Sequence, residues 1–240
     1  MTLEFEFQTE LQVLASRIQE DPRLELTSFD IGAPLPEESI TEVEEALGTG
    51  IPESVRRLYR SMAHATLCWR FRPTLDELTR IRVAEDFSEA VSRHNLYTTA
   101  GSIRIIPLEE MLFDEEYAVP SIEPDAGKDP KYFVFDGETY TENKFEQMLR
   151  PFDLVDDFFA MAFVVQPGEK EWKMMLLDDH GASYHGSRLT HLDDYLKYII
   201  ATWGLVNARP ELFGRGRGNH TPLGFDPALA AARVPSVLLP

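Results

Sequence analysis

The chain of 240 residues has one cysteine, no long apolar run and too few cations for its anions. A single thiol, Cys68, excludes an intramolecular disulfide and every cysteine-based metal site of standard spacing. Its neighbours Leu67 and Trp69 predict a buried, inert thiol rather than a nucleophile. No segment reaches the roughly 18 consecutive apolar residues that a spanning helix needs. The opening MTLEFEFQTE lacks the basic and apolar regions of a secretory signal. Together these absences predict a cytoplasmic protein without a membrane span. Lys+Arg number 23 against 41 Asp+Glu, a formal net charge of −18. Neutralising phosphates takes clustered cations, so no nucleic-acid or anionic-membrane partner is expected. A basic partner, or simple solubility, is what such a charge favours.

The usual chemical fingerprints are missing as well. There is no GxxxxGK[ST], no GxGxxG after a strand, no HExxH and no GxSxG. The glycine-rich run 214–218 (GRGRG) follows a helix and a loop, which does not suit a phosphate cradle. Asp178, Asp179 and His180, with His185 and His191, could in principle hold a divalent cation. The same Asp-Asp-His-Gly run is ordinary hairpin-turn chemistry. Asp153, Asp156 and Asp157 form a second acidic knot, without the spacing of an EF-hand loop. Ser183 and His185 point the same way on a strand, as exposed polar strand residues also do. No catalytic set, metal or cofactor is expected, and the chain is read as a non-enzyme.

What is present is periodicity. Residues 3–7 alternate as a strand or extended arm would, and Leu11, Leu14, Ala15 and Ile18 then recur at helical spacing up to Asp21-Pro22. Ile40, Val43, Ala46 and Leu47 form the apolar face of a helix that Ser39 can cap and Gly48 ends. Pro52 opens a second helix with Val55, Leu58, Tyr59 and Met62, so the two make a helical hairpin. Strands are expected at 67–72, 103–106, 132–136, 158–166, 172–178 and 183–185, with helices over 74–94, 108–116 and from a Thr190 cap to Gly204. Residues 118–131 read as a loop, and Pro167-Gly168-Glu169-Lys170 as a hairpin turn. Phe152, Phe158, Phe159, Phe163, Trp69, Trp172 and Trp203 read as core. The order of these elements is that of an α+β fold with a mostly antiparallel sheet.

The helical hairpin has a recognisable form. Pro36-Glu37-Glu38-Ser39-Ile40, Val43-Glu44 with Leu47-Gly48, Ile51-Pro52 and Val55-Arg56-Arg57-Leu58-Tyr59 resemble the opening of the SUKH superfamily. Ile105-Ile106-Pro107-Leu108-Glu109-Glu110-Met111 is similar to that family's strand-then-helix element, and Phe133 to Asp136 and Leu192 to Ile200 continue in a similar order. The resemblance covers roughly residues 36–205. It departs at His64-Ala65-Thr66, where the family has Asn-Gly-Gly or similar. It implies a SUKH-like domain over 36–213 with an insertion near 73–102, preceded by an N-terminal extension (1–35) and followed by an extended tail (214–240). It also implies a protein that acts through protein contacts. Many bacterial members are immunity proteins that neutralise a cognate toxin, often a nuclease or deaminase. Others are regulators.

The charge gives that expectation a location. Residues 108–160 hold 15 acidic and 4 basic residues, a net −11 of the total −18. Toxins acting on nucleic acid have basic clefts, and an acidic face complements them and speeds association. Asp114, Glu115, Glu116, Asp136, Asp153, Asp156 and Asp157 are the expected contacts with a basic toxin surface.

Overall fold

A computed structural model describes residues 5–76, 99–117, 132–135, 137–155, 159–177, 187–214, 222–235 and 238. In chain order the elements are α1 (Phe7–Glu20), β1 (Leu24–Ile31), α2 (Glu37–Leu47), α3 (Glu53–Ser61), β2 (Ala65–Phe71), β3 (Gly101–Ile105) and α4 (Leu108–Phe113). They continue with β4 (Tyr132–Phe135), β5 (Glu138–Thr141), α5 (Glu142–Glu146), β6 (Leu149–Leu154), β7 (Ala160–Val164) and β8 (Lys173–Leu177). Helices α6 (Leu192–Ala201), α7 (Ala208–Phe213) and α8 (Pro227–Ala231) close the described chain. The expected helix at 74–94 lies almost wholly outside the described residues, as do the loop at 118–131 and the strand at 183–185.

Six strands form one sheet in the order β1-β2-β3-β6-β7-β8, and every neighbouring pair is antiparallel. The fold is therefore α+β on an antiparallel sheet. Strand alternation distributes the side chains of β7 and β8 between two cores. Met161, Phe163, Met174 and Leu176 join the main core, which also takes Leu67, Trp69 and Phe71 from β2 and the apolar faces of α1, α3 and α6. Ala162, Val164, Met175 and Leu177 face the other way, into a smaller core with Phe135, Phe145 and Leu149. That second core is roofed by the β4–β5 hairpin and α5. Burial on both faces is why β7 (AMAFV) and the apolar run of β8 (MMLL) show no polar alternation.

Residues 5–35 are built into the domain. Phe7 opens α1 and is buried, so the pattern of residues 3–7 does not continue as a strand. β1 runs to Ile31 as the edge of the sheet beside β2. Gly101 and Ser102, at the end of the segment expected as an insertion, belong to β3 and pair with Trp69 and Cys68. Two expected caps are different residues. α2 begins after Pro36, not Ser39, and α6 after His191, neither with a side-chain cap bond. Thr190 is buried instead, donating its hydroxyl to the Leu223 carbonyl at 2.9 Å. That bond helps dock the tail: residues 222–235 carry α8 against α6, with Ala230, Val234 and Leu238 buried. β5, α5 and β6 lie where no separate element was expected.

One close approach ties β2 to the end of α6. The Trp69 indole N–H donates to the Trp203 carbonyl at 2.7 Å. A Cβ on Gly101 would sit 1.9 Å from that indole nitrogen, so only glycine fits. Trp203 itself has φ +58°, the one non-glycine residue with positive φ among the described residues, and Gly204 follows at +64°.

Candidate functional site

The acidic stretch divides into an inside and an outside. Pro107 starts α4 with extended geometry, and Leu108, Met111 and Leu112 turn inward at helical spacing. Glu109, Glu110 and Phe113 are thereby turned outward. Asp114 ends the helix, its amide donating to the Glu110 carbonyl at 3.0 Å and its carboxylate accepting from the Glu116 amide at 2.9 Å. A single 3-10 turn, Glu115–Tyr117, follows. Glu109, Glu110, Asp114, Glu115 and Glu116 are all exposed, and none has an ion-pair partner among the described residues. Phe113 stands among them with 43% of its surface exposed.

Two neighbours report on the field of this cluster. Burial raises the Tyr117 phenol above its ordinary value, and Glu110, Glu116 and Asp114 raise it further. Arg150 lies beneath the turn. Its Nε donates to the Leu112 carbonyl at 3.1 Å and its terminal nitrogen to the carbonyls of Gln147 and Leu149. Burial lowers its pKa, and backbone carbonyls rather than carboxylates take its protons. Arg150 therefore serves the C-terminal carbonyl end of α4 and is not paired with the outer carboxylates. α2 packs beside α4 and adds exposed Glu38, Glu42 and Glu45.

Asp153 is a correction. It was expected as a contact residue, yet its exposure is 0% and it cannot meet a partner. Its β6 backbone pairs with Ile105, and its carboxylate is enclosed by donors. One oxygen accepts from the Arg104 amide at 2.7 Å. The other accepts from Arg209 at 2.6 Å and from the Tyr195 hydroxyl. Arg209, 1% exposed, also donates to Tyr195 at 3.0 Å and to the Gly204 carbonyl at 2.8 Å. Burial opposes the Arg209 charge, but Asp153 and Tyr195 outweigh it and hold its pKa above the ordinary arginine value. Burial likewise drives Tyr195 well above 10, against the pull of Arg209. This fully bonded cluster is a structural tie between the sheet and the terminal helices. Nothing in the sequence around Arg209 marks it as the partner of an aspartate 56 positions away.

Asp136, Asp156 and Asp157 lie outside the described residues, as do Asp178, Asp179, His180, Ser183 and His185. His191 is half-buried at the start of α6. Among the described residues no group of three or more His, Cys, Asp or Glu could hold a metal ion. Cys68 is buried, its sulfur 3.8 Å from the Ser102 hydroxyl. Trp69 and Trp172 are core residues as expected, and Trp203 is only half-buried. Phe113, outside the expected contact set, is exposed beside the α4 carboxylates. Once Leu108, Met111 and Leu112 take the inner face, helical geometry leaves the aromatic outside.

A cleft of about 410 Å³ opens between the start of α1, α3 and α6, floored by Phe7, Leu58 and Leu196. Three of its polar side chains are engaged: Arg57 donates to both carboxylate oxygens of Asp193 at 2.7 Å, and the Ser54 hydroxyl donates to Glu171 at 2.7 Å. No described helix is long and apolar enough to cross a membrane. Comparison of the chain with protein-family models, with curated proteins and with solved structures found no match.

Proposed function

We propose that the chain is a SUKH-like immunity protein that binds a cognate bacterial toxin and occludes its basic active-site cleft, with α4 and the turn after it as the contact face. One observation carries this reading. Five exposed carboxylates lie within the eight residues 109–116, without a counter-ion among the described residues, around an exposed phenylalanine. A surface kept for solubility alone gains nothing from an aromatic at its centre. A docking face does, because aromatic anchors ringed by polar groups dominate binding energy. The toxin would be a nuclease or deaminase domain, whose cleft is basic for its own substrate. Inhibition by occlusion asks no bond chemistry of this chain, in keeping with the closed bonding of Asp153 and the burial of Cys68.

The test begins with the partner recovered from the native source and identified as a toxin domain. Titration calorimetry at several salt concentrations should then show tight binding that weakens with salt. Neutralising Glu109, Glu110, Asp114, Glu115 and Glu116 together should weaken binding by about 100-fold or more and flatten the salt dependence. Unchanged affinity in that variant would sink the α4 face. A partner without toxin activity, bound equally well, would instead make the chain a regulator or scaffold of the same fold.

A further inference from the structure

The two edges of the six-stranded sheet are finished differently. At β8 the edge is sealed. The Met174 amide donates to the Thr190 carbonyl at 2.8 Å, the Thr190 amide returns a bond to Met174 at 3.0 Å, and the Ser187 hydroxyl caps the Leu176 carbonyl at 2.6 Å. At β1 no such seal is found among the described residues. Backbone groups on an antiparallel edge strand alternate between facing the neighbour and facing away. Gly32 donates to the His64 carbonyl at 3.0 Å, so Asp30 and Ser28 also face β2 while Ile31 and Phe29 face outward. Counting from the other end, the Arg23 carbonyl accepts from Arg72, so Glu25 faces β2 and Leu24 and Leu26 face outward. The two counts meet at the register shift between Leu26 and Ser28, with Thr27 as the extra residue. The Arg72 side chain closes the outward Leu24 carbonyl at 2.8 Å. Among the described residues no backbone group reaches the outward amides and carbonyls of Phe29 and Ile31. Thr27, Ser28, Phe29 and Asp30 are all exposed, Phe29 by 39%.

We infer that the Ser28–Ile31 edge of β1 is a strand-addition site for an extended, basic segment of a partner protein. Open edge groups recognise another extended backbone, and strand addition is a recurrent way of binding one. Charge selects the source. A chain of net −18 attracts a cationic segment and repels a second copy of itself. This inference does not depend on α4, and the two surfaces can be disabled separately.

The probe is a synthetic ten-residue peptide that alternates threonine and valine and carries a lysine at each end and one at its centre. It is titrated into the isotope-labelled full chain, with amide shifts and hydrogen exchange read by NMR. At saturation the amides of Phe29 and Ile31 should shift and become protected from exchange. Phe29→Pro removes an outward N–H and leaves the β2 ladder intact, so it should keep the fold and weaken the peptide by about tenfold or more. Phe29→Thr keeps the N–H and should bind within about threefold of the parent. Asp30→Pro removes an inward N–H and should lower the thermal midpoint, which checks the assignment of direction. Unchanged binding by Phe29→Pro overturns the inference. So do shifts confined to residues 109–116, which would mean charge attraction alone. Concentration-dependent dimers of the free chain that Phe29→Pro abolishes would overturn it as well, because the occupant would then be a second copy.

Discussion

Asp153 and the Asp114–Glu116 turn belong to one acid-rich stretch of sequence and lead opposite lives. Asp153 sits in the main core with a guanidinium, a phenol and a backbone amide around it. The turn stands exposed, with no cation paired to it among the described residues. The helical hairpin is a third case: Glu37 and Glu44 are held by Arg56, and Glu37 and Glu53 by Arg60. Net charge in a window of sequence therefore says little about where a protein is electrostatically unfinished. What matters is whether each carboxylate has met its partner within the fold. By that measure, among the described residues, the α4 segment is an unfinished region and Asp153 is among the most finished.

The sharpest way to break this contrast is to remove Asp153. Asp153→Ala strands Arg209 in the core and should cost about 3–5 kcal/mol, the usual consequence of leaving a buried charge alone. Chemical denaturation would show it as a lower midpoint with an unchanged slope. A loss under 1 kcal/mol would mean that the cluster is not the tie described. At the other pole, neutralising the five α4 carboxylates should leave stability within about 0.5 kcal/mol per site, or raise it by relieving repulsion. A cooperative loss of several kcal/mol would show that those charges are structural after all.

Titration sharpens the same comparison on a finer scale. Tyr117 should titrate above free tyrosine, and Glu110→Gln, Asp114→Asn and Glu116→Gln together should bring it part of the way back, leaving the part due to burial. Ultraviolet difference spectroscopy reads the phenolate directly, and an unmoved midpoint would mean that the three carboxylates do not act on the phenol. In acid the compensated surface pairs should give up their contribution. Hydrogen bonds from Arg23, Arg70 and Arg60 hold Asp21, Glu25 and Glu37 below their ordinary values. A lowered folded pKa adds stability above the unfolded value near about 4 and loses it as the pH falls through the folded one. Screening in water makes this the smallest effect. A thermal midpoint that declines gently below about pH 4 in the parent, and less in an Arg60→Gln, Arg70→Gln double variant, would confirm it.

Much of the fold could be read from periodicity. The α2–α3 hairpin, β2, β3, the β7–β8 hairpin and α6 all fall where apolar spacing and glycine place them. Gly168 adopts φ +84° in the expected turn. β6 was hidden because Pro151 and Asp153 interrupt its apolar pattern, and only the register shift and the Arg209 partnership make them tolerable there. α5 was hidden by brevity, since five residues carry too little periodicity to read. The candidate site was half legible. Charge density pointed to 114–116, but it ranked Asp153 with them, because partners distant in sequence cannot be counted along a chain. Phe113 needed only the inner face of α4 to be recognised first.

The Trp69–Trp203 contact has a spectroscopic consequence. Trp69 and Trp172 are sealed in the core, and Trp203 is partly open to water. Emission from the folded chain should therefore be the sum of two blue components and one redder one. Because the Trp69 indole is bonded across to the turn that ends α6, its emission reports whether the last third of the chain is seated on the first. A red shift in Trp69 with Trp172 unchanged would mark the lifting of that turn alone, an event that secondary-structure signals would barely register.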